Sequence, residues 1–176
     1  MGWAAAKDLR QFMKENDMTE TKSKEIYVKD LSGESIELFF KYHIYKCQPN
    51  YFRSANGNAY FAPYFTGKAP RYFEEQSMIK VQRGITWMAA VQHVEIIKKN
   101  QITELLKKYK WPDCSNAIKK TRALSTGRNE ILMMLLGEPF LVFMTPVDKR
   151  KLKVHGAMGS RSFTFEDLFK AAGKGN

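Results

Sequence analysis

The sequence lacks long apolar runs and paired cysteines, and each absence excludes a class of protein. The longest apolar run covers residues 131–136, six residues, whereas a membrane span needs roughly 18. The N-terminus has no secretory h-region, so we expect a cytoplasmic protein that does not enter membranes. Cys47 and Cys114 stand alone, without a CxxC pair or a Cys/His cluster, so neither a zinc site nor a disulfide framework is predicted.

Motifs of common enzyme classes are also missing. There is no GxxxxGK[ST] and no GxGxxG loop to hold phosphates, and the three histidines are far apart in the sequence. Asp30, Glu34 and Glu37 surround one expected turn, which leaves a magnesium-dependent nuclease as an alternative, although exposed acids near a turn are usually only solvated. A lysine next to Cys47 is expected to lower the pKa of that thiol, but no base accompanies it. We therefore predict no catalytic residue, no metal and no cofactor.

Charge is the first positive feature. Lys and Arg total 29 against 18 Asp and Glu, a net charge of +11. Residues 1–95 hold 13 basic and 11 acidic side chains, whereas residues 96–176 hold 16 basic and 7 acidic ones, so the excess lies in the second half. Such asymmetry favours a polyanionic partner, above all nucleic acid, over a merely solvated surface.

Residues 41–73 combine aromatic rings with cations and contain no acidic residue. Bases stack on aromatic rings while cations follow the phosphates, so this composition is typical of single-strand binding surfaces. Packing of the rings in the core is the alternative for each of them. The candidate contacts in this segment are Tyr51, Tyr60, Arg53, Lys68 and Arg71.

The second half supplies candidate phosphate contacts, which position a protein without reading bases. They are Lys98, Lys99, Lys107, Lys108, Lys119, Lys120, Arg122, Lys149, Arg150, Lys151 and Lys153. Alternation along residues 149–153 predicts a strand with Lys149, Lys151 and Lys153 on one face. That arrangement suits a phosphate backbone, but it is equally typical of an edge strand protected against aggregation.

The hydrophobic patterns predict an α+β fold. We divide it into residues 1–73 (an N-terminal helix and an aromatic-rich β portion), 74–136 (a helical portion) and 137–176 (a small β element with a closing helix), together one compact unit. The first portion has a helix over 4–17, a hairpin of strands 25–31 and 35–45, and a strand over 59–65 in which Pro63 requires an edge or a bulge.

Helical spacing of apolar residues extends over most of 74–110, with an interruption at Gly84, and again over 115–124 and 125–136. A second hairpin over 140–156, a short strand at 162–164 and a closing helix over 167–172 complete the prediction.

Residues 131–158 carry a pattern found at the end of many phage proteins. A hydrophobic segment ends at Gly137, an alternating segment follows over 140–144, a turn ends at Asp148, and Gly156 and Met158 come after it. The pattern resembles the small Sm-like or SH3-like barrel of the WYL-related group, except that Lys149 stands where that group has glycine. The resemblance implies a small C-terminal barrel and a viral origin, and it implies no biochemical activity.

Together these features predict a non-catalytic nucleic-acid-binding protein with little sequence preference, of the kind a phage uses for regulation or host takeover. The alternative is a protein-interaction factor that docks on an acidic host protein such as a polymerase subunit. Competition by unrelated DNA separates these two functions.

Overall fold

The computed structural model describes residues 25–173, which form an α+β fold around a seven-stranded sheet. The strands are β1 (Ile26–Leu31), β2 (Ile44–Cys47), β3 (Tyr60–Phe65), β4 (Trp87–Lys98), β5 (Glu130–Leu136), β6 (Phe140–Leu141) and β7 (Ser160–Phe163). The helices are α1 (Glu34–Tyr42), α2 (Phe52–Ala55), α3 (Arg71–Ser77), α4 (Ile102–Lys108), α5 (Cys114–Ala123) and α6 (Phe165–Gly173). Short 3-10 helices at Pro49–Tyr51 and Lys99–Gln101 precede α2 and α4. The predicted α+β class is confirmed.

The strands lie in the order β2-β5-β4-β3-β1-β7, and β6 pairs with the start of β4. Strands β1 and β3 are parallel, and the other pairs are antiparallel. The long β4 pairs with β3 through Ala89 and Ala90, and then with β5 from Val91 to Lys98. One strand therefore joins the two halves of the sheet.

Strand β5 is buried on both faces of the sheet. Leu132, Met134 and Leu136 pack with α1 and the rings of β1 and β3, in a cluster that includes Phe39 and Phe61. The alternate residues of β5 pack under α4 and α5 in a second cluster; they are Ile131, Met133 and Leu135. The sheet thus separates two hydrophobic layers, and α4 and α5 cover one of them.

The predicted strand at 35–45 is wrong over most of its length, because residues 35–42 belong to helix α1 and only Ile44 and Tyr45 lie in a strand, β2. Ile36, Phe39 and Tyr42 are buried at helical spacing, so burial around most of the helix produced an apparent alternation. Glu34 and Glu37 in its first turn favour the helix N-terminus electrostatically. The strand at 25–31 is confirmed as β1, but its partner is the parallel β3 rather than a hairpin arm.

The helical prediction for 74–110 is wrong over most of its length. Only α3, the 3-10 helix Lys99–Gln101 and α4 are helical there, and the twelve-residue strand β4 lies after α3. A register shift between Val91 and His93 interrupts the two-residue period of β4, which explains why its apolar residues imitated helical spacing. The helix predicted over 125–136 is also wrong, because residues from Glu130 onward form β5.

Four other predicted elements are confirmed: the strand at 59–65 as β3, the helix at 115–124 as α5, the short strand at 162–164 as β7, and the closing helix as α6. Pro63 lies in β3 between the Phe61–Ala89 pair and the Phe65–Gly84 bridge, where the ladder with β4 is interrupted. A missing N–H is tolerated at such a gap.

The predicted helix over 4–17 lies outside the described residues. The resemblance of residues 131–158 to the small phage barrel stays a prediction, as does the division into three portions. Within residues 25–173, no helix has both the length and the apolar character needed to cross a membrane.

Candidate functional site

Three cations from distant parts of the chain surround Cys47 at one end of the sheet. Lys46 and Cys47 end strand β2, opposite Met133 and Leu132 of β5. Arg128 lies just before β5 begins, so the antiparallel pairing brings it to the same end of the sheet. Lys29 of β1 completes the group, and its Nζ lies 4.0 Å from the centroid of the Tyr51 ring. We call Lys29, Lys46 and Arg128 the cation cluster.

Within residues 25–173, no acidic side chain forms a salt bridge with the cation cluster. Burial lowers the pKa of the Lys46 ammonium, and the positive charge of Arg128 lowers it further. The Lys46 ammonium donates a hydrogen bond to the carbonyl of Leu124, which orients it without cancelling its charge. Positive charges held together in this way attract an anion.

The pKa of the Cys47 thiol is shifted in the direction opposite to the one predicted from the sequence. Burial raises the pKa of Cys47, and the cation cluster only partly opposes this effect. The prediction of a lowered pKa is therefore wrong. A reactive cysteine requires the thiolate, which the raised pKa disfavours, and Cys47 packs partly buried against the hydrophobic layer beneath the cation cluster, so it is a poor candidate for a nucleophile.

Lys98 and Lys99 extend the positive charge along the same end of the sheet. Lys98, the last residue of β4, is opposite Glu130 at the start of β5. The backbone N–H of Lys99 donates to the carbonyl of Asn129, directly after Arg128. Both predicted phosphate contacts therefore lie beside the cation cluster.

Helices α4 and α5 hold the next group of predicted contacts. Lys107 and Lys108 are exposed at the end of α4, and Lys119 is exposed on α5. Arg122 of α5 donates from Nη2 to the hydroxyl of Thr103 on α4, at 2.7 Å, so this guanidinium joins the two helices. These four residues lie on the helical layer that covers one face of the sheet.

Lys120 is held by acidic side chains, which the sequence did not indicate. Its Nζ lies 2.7 Å from Oε1 of Glu37 and 3.1 Å from Oε1 of Glu34, both on α1. The hydroxyl of Tyr72 on α3 donates to the same oxygen of Glu37 at 2.7 Å. We call Glu34, Glu37, Tyr72 and Lys120 the ion-pair cluster. Since the charge of Lys120 is compensated within the protein, it is a poor candidate for holding phosphate.

The pKa values in the ion-pair cluster reflect this pairing. Burial alone would raise the pKa of Glu37, which is only 5% exposed, but hydrogen bonds from Lys120 and Tyr72 outweigh burial and lower it. Burial would lower the pKa of Lys120, and the hydrogen bonds to Glu37 and Glu34 reverse this and raise it. Glu37 and Lys120 therefore both remain ionised at neutral pH.

The three carboxylates considered for a magnesium site are separated by this arrangement. Glu34 and Glu37 bind Lys120, whereas Asp30 accepts the N–H of Gly159 on the opposite side of β1, at 3.3 Å. Over residues 25–173, no group of three or more His, Cys, Asp or Glu side chains is placed to hold a metal ion.

The lysines of residues 149–153 do not share a strand face, so that prediction is wrong. This segment forms consecutive turns. Lys149 donates from Nζ to the carbonyl of Gly156, and Arg150 pairs with Asp148 at 3.1 Å. Lys151 is half-buried and Lys153 is exposed, in a left-handed backbone conformation with φ of 59°. These side chains therefore do not alternate along a strand.

The aromatic segment is divided between core and surface. Tyr60 is 8% exposed and packs edge-on against Phe140 and Phe165, so its ring is unavailable for stacking on a base. Tyr51 is half-buried beside Lys29. The cations predicted here are all exposed, and Arg71 pairs with Glu75 at 2.9 Å; these cations are Arg53, Lys68 and Arg71.

Comparison with known proteins yields similarities of structure alone. No protein-family model matches the chain, and no curated protein matches it either. The crystal structure of ASCH from Zymomonas mobilis is similar with a TM-score of 0.43 and 11% identity, over 83% of this chain and 92% of that one. A single-substitution mutant of the same Zymomonas mobilis protein gives a TM-score of 0.45 and 11% identity, over 84% of this chain and 96% of that one.

Proposed function

We propose that this protein binds nucleic acid through its phosphate backbone, without catalysis and with little sequence preference. The observation that carries the proposal is the cation cluster, three positive side chains brought together with no salt bridge to a carboxylate of residues 25–173. Lys98 and Lys99 add charge at the same end of the sheet. Point charges of this kind follow phosphates and do not distinguish bases.

Tyr51 gives this surface a second property. Its ring lies under the ammonium of Lys29, so a cation and an aromatic ring are presented side by side. A nucleotide offers a phosphate and a base in the same way. The combination favours nucleic acid over an acidic protein surface, whose carboxylates need no ring.

The test is a fluorescence-polarisation series with single-stranded DNA, duplex DNA, single-stranded RNA and heparin. Raising salt from about 50 to 200 mM should weaken binding at least tenfold if several phosphates are contacted. The triple variant Lys29→Gln, Lys46→Gln, Arg128→Gln should flatten the slope of log affinity against log salt by roughly two to three units.

The matched control removes the same charges elsewhere, as Lys80→Gln, Arg83→Gln and Lys170→Gln on the segment after α3 and on α6. It should leave the slope nearly unchanged. Salt-insensitive binding, or an equal effect of both triple variants, contradicts the proposal. Efficient competition by an acidic protein, with none by unrelated DNA, favours the protein-docking alternative. Labelled strands incubated with Mg²⁺ should remain intact.

A further inference from the structure

Two aromatic rings, inclined to each other, lie together where α4 ends. The centroids of Tyr109 and His93 are 4.6 Å apart, with 31° between the ring planes. Tyr109 is 38% exposed, which is unusual here because most tyrosines of this protein lie in the core. The sequence did not single out either residue.

Hydrogen bonds on both sides of the imidazole hold this pair in place. The Tyr109 hydroxyl and Nδ1 of His93 share one at 3.1 Å, and Nε2 of His93 lies 2.6 Å from Oε1 of Glu95. The backbone N–H of Tyr109 also donates to the carbonyl of Leu105, which ties the ring to α4. An exposed ring that is already oriented loses little side-chain entropy when it binds a ligand.

Lysines flank Tyr109 along the chain. Lys107, Lys108 and Lys110 are all exposed, and in the described residues none of them forms a salt bridge. The Nζ of Lys108 lies 5.6 Å from the centroid of Tyr109, within the range of a cation–π contact. An ordered ring can stack on an unpaired base, and exposed ammonium groups that form no salt bridge within residues 25–173 can hold the flanking phosphates.

The position of the pair along β4 connects it with the proposed phosphate surface. His93 precedes Lys98 by five residues on the same strand, which corresponds to roughly 17 Å. Arg122, bonded to Thr103 at the start of α4, lies on the helical layer beside this strand. A single strand of a few nucleotides has the length to reach from the cation cluster to the rings.

We propose that Tyr109, supported by His93, stacks on an unpaired nucleobase while Lys107, Lys108 and Lys110 hold the neighbouring phosphates. This inference rests on the proposed nucleic-acid function and adds a preference for single strands, because the faces of paired bases are covered within a duplex. The chemistry is shared by DNA and RNA, and the test includes both.

The test compares Tyr109→Ala and Tyr109→Leu, which remove the ring, with Tyr109→Phe, which keeps it and removes only the hydroxyl. The probes are DNA and RNA strands carrying one 2-aminopurine, and duplexes of the same sequence. The ring-removing variants should weaken single-strand binding by about 5- to 100-fold, leave the salt slope unchanged and abolish quenching of the 2-aminopurine. Tyr109→Phe should bind within about twofold of the wild type, and duplex binding should change little in all three.

Two results would overturn this inference while leaving the proposed function intact. One is wild-type single-strand affinity in a folded Tyr109→Leu variant, and the other is an equal loss for single strands and duplexes. Tyr109→Leu keeps apolar contact with His93, so it serves as the decisive variant if Tyr109→Ala melts at a lower temperature. If the wild type binds no strand at low salt, both proposals fail together.

Discussion

Two lysines near the C-terminal end of α5 have opposite electrostatic surroundings. Lys120, on α5, forms salt bridges with Glu34 and Glu37, and these two carboxylates of α1 compensate its positive charge. Lys46 donates to the carbonyl of Leu124, just beyond the end of α5, and the positive charge of Arg128 repels its ammonium. One lysine joins helices together, and the other is held beside like charge.

The contrast shows how little a charge sum reveals about a binding surface. Both lysines count equally toward the net charge of +11. The pKa of Lys120 is raised by its carboxylate partners, whereas the pKa of Lys46 is lowered by burial and by Arg128. A lysine with a carboxylate partner stabilises the fold, and one held among cations is suited to an external anion.

Breaking the ion-pair cluster should give the largest effect. Lys120→Met leaves the buried carboxylate of Glu37 without its principal partner, and an unpaired buried charge is strongly destabilising. We expect a loss of about 3 kcal/mol in the free energy of unfolding, measured by urea denaturation at pH 7. The double variant Lys120→Met, Glu37→Met should recover much of that loss. Full stability of Lys120→Met alone would mean that the pairing contributes nothing.

The effect of pH on the stability that the ion-pair cluster provides should be smaller than the effect of Lys120→Met, and it should be specific to Glu37. The pKa of Glu37 is lowered in the folded protein, so its ionised form stabilises the fold above the ordinary value of 4.5, and this contribution is lost as the pH falls from there through the folded pKa. Glu37→Gln should therefore lower the melting temperature most near neutral pH. Its difference from the wild type should shrink below about pH 4.5. A difference that is constant from pH 7 to pH 3 would contradict the assignment.

Local apolar patterns were sufficient to predict the elements that are buried on one side only. Helix α5 and the closing helix α6 each bury one stripe, and their apolar spacing predicted them. Strand β5 is buried on both faces, so its run of apolar residues had no period to distinguish strand from helix. Strand β4 was missed for another reason, because the irregular register at Val91 and His93 interrupts its two-residue period.

Only part of the candidate site could be predicted from the sequence, because its residues come together through contacts between distant segments of the chain. The sequence identified Lys98 and Lys99 as basic residues of the second half, but it did not indicate Lys29 or Arg128, because their neighbourhood depends on sheet order. It likewise treated Tyr51 and Tyr60 alike, although β3 turns Tyr60 toward Phe140 and Phe165 in the core. Sheet pairing between distant segments decided both outcomes.

The cation cluster should respond to mutation in the opposite sense from the ion-pair cluster. Arg128→Gln removes a charge that repels Lys46, and it breaks no salt bridge within the described residues. We expect the free energy of unfolding to stay within about 0.5 kcal/mol of the wild type or to rise slightly. Urea denaturation at low and high salt checks this, since relief of repulsion should be more visible at low salt. A loss as large as that of Lys120→Met would show that Arg128 has a structural partner.

The smallest effect should come from the turn segment at 149–153. Lys149 already donates to the carbonyl of Gly156, and Lys149, Lys151 and Lys153 lie on consecutive turns rather than on a strand. The triple change of these lysines to Gln should therefore flatten the salt slope by less than about one unit, against the two to three units expected for the cation cluster. The same polarisation series measures both variants. A salt slope flattened by about three units in the turn variant would reverse the ranking. It would show that the lysines of residues 149–153 contact phosphate together, and that the cation cluster at the end of β2 and β5 does not carry the affinity.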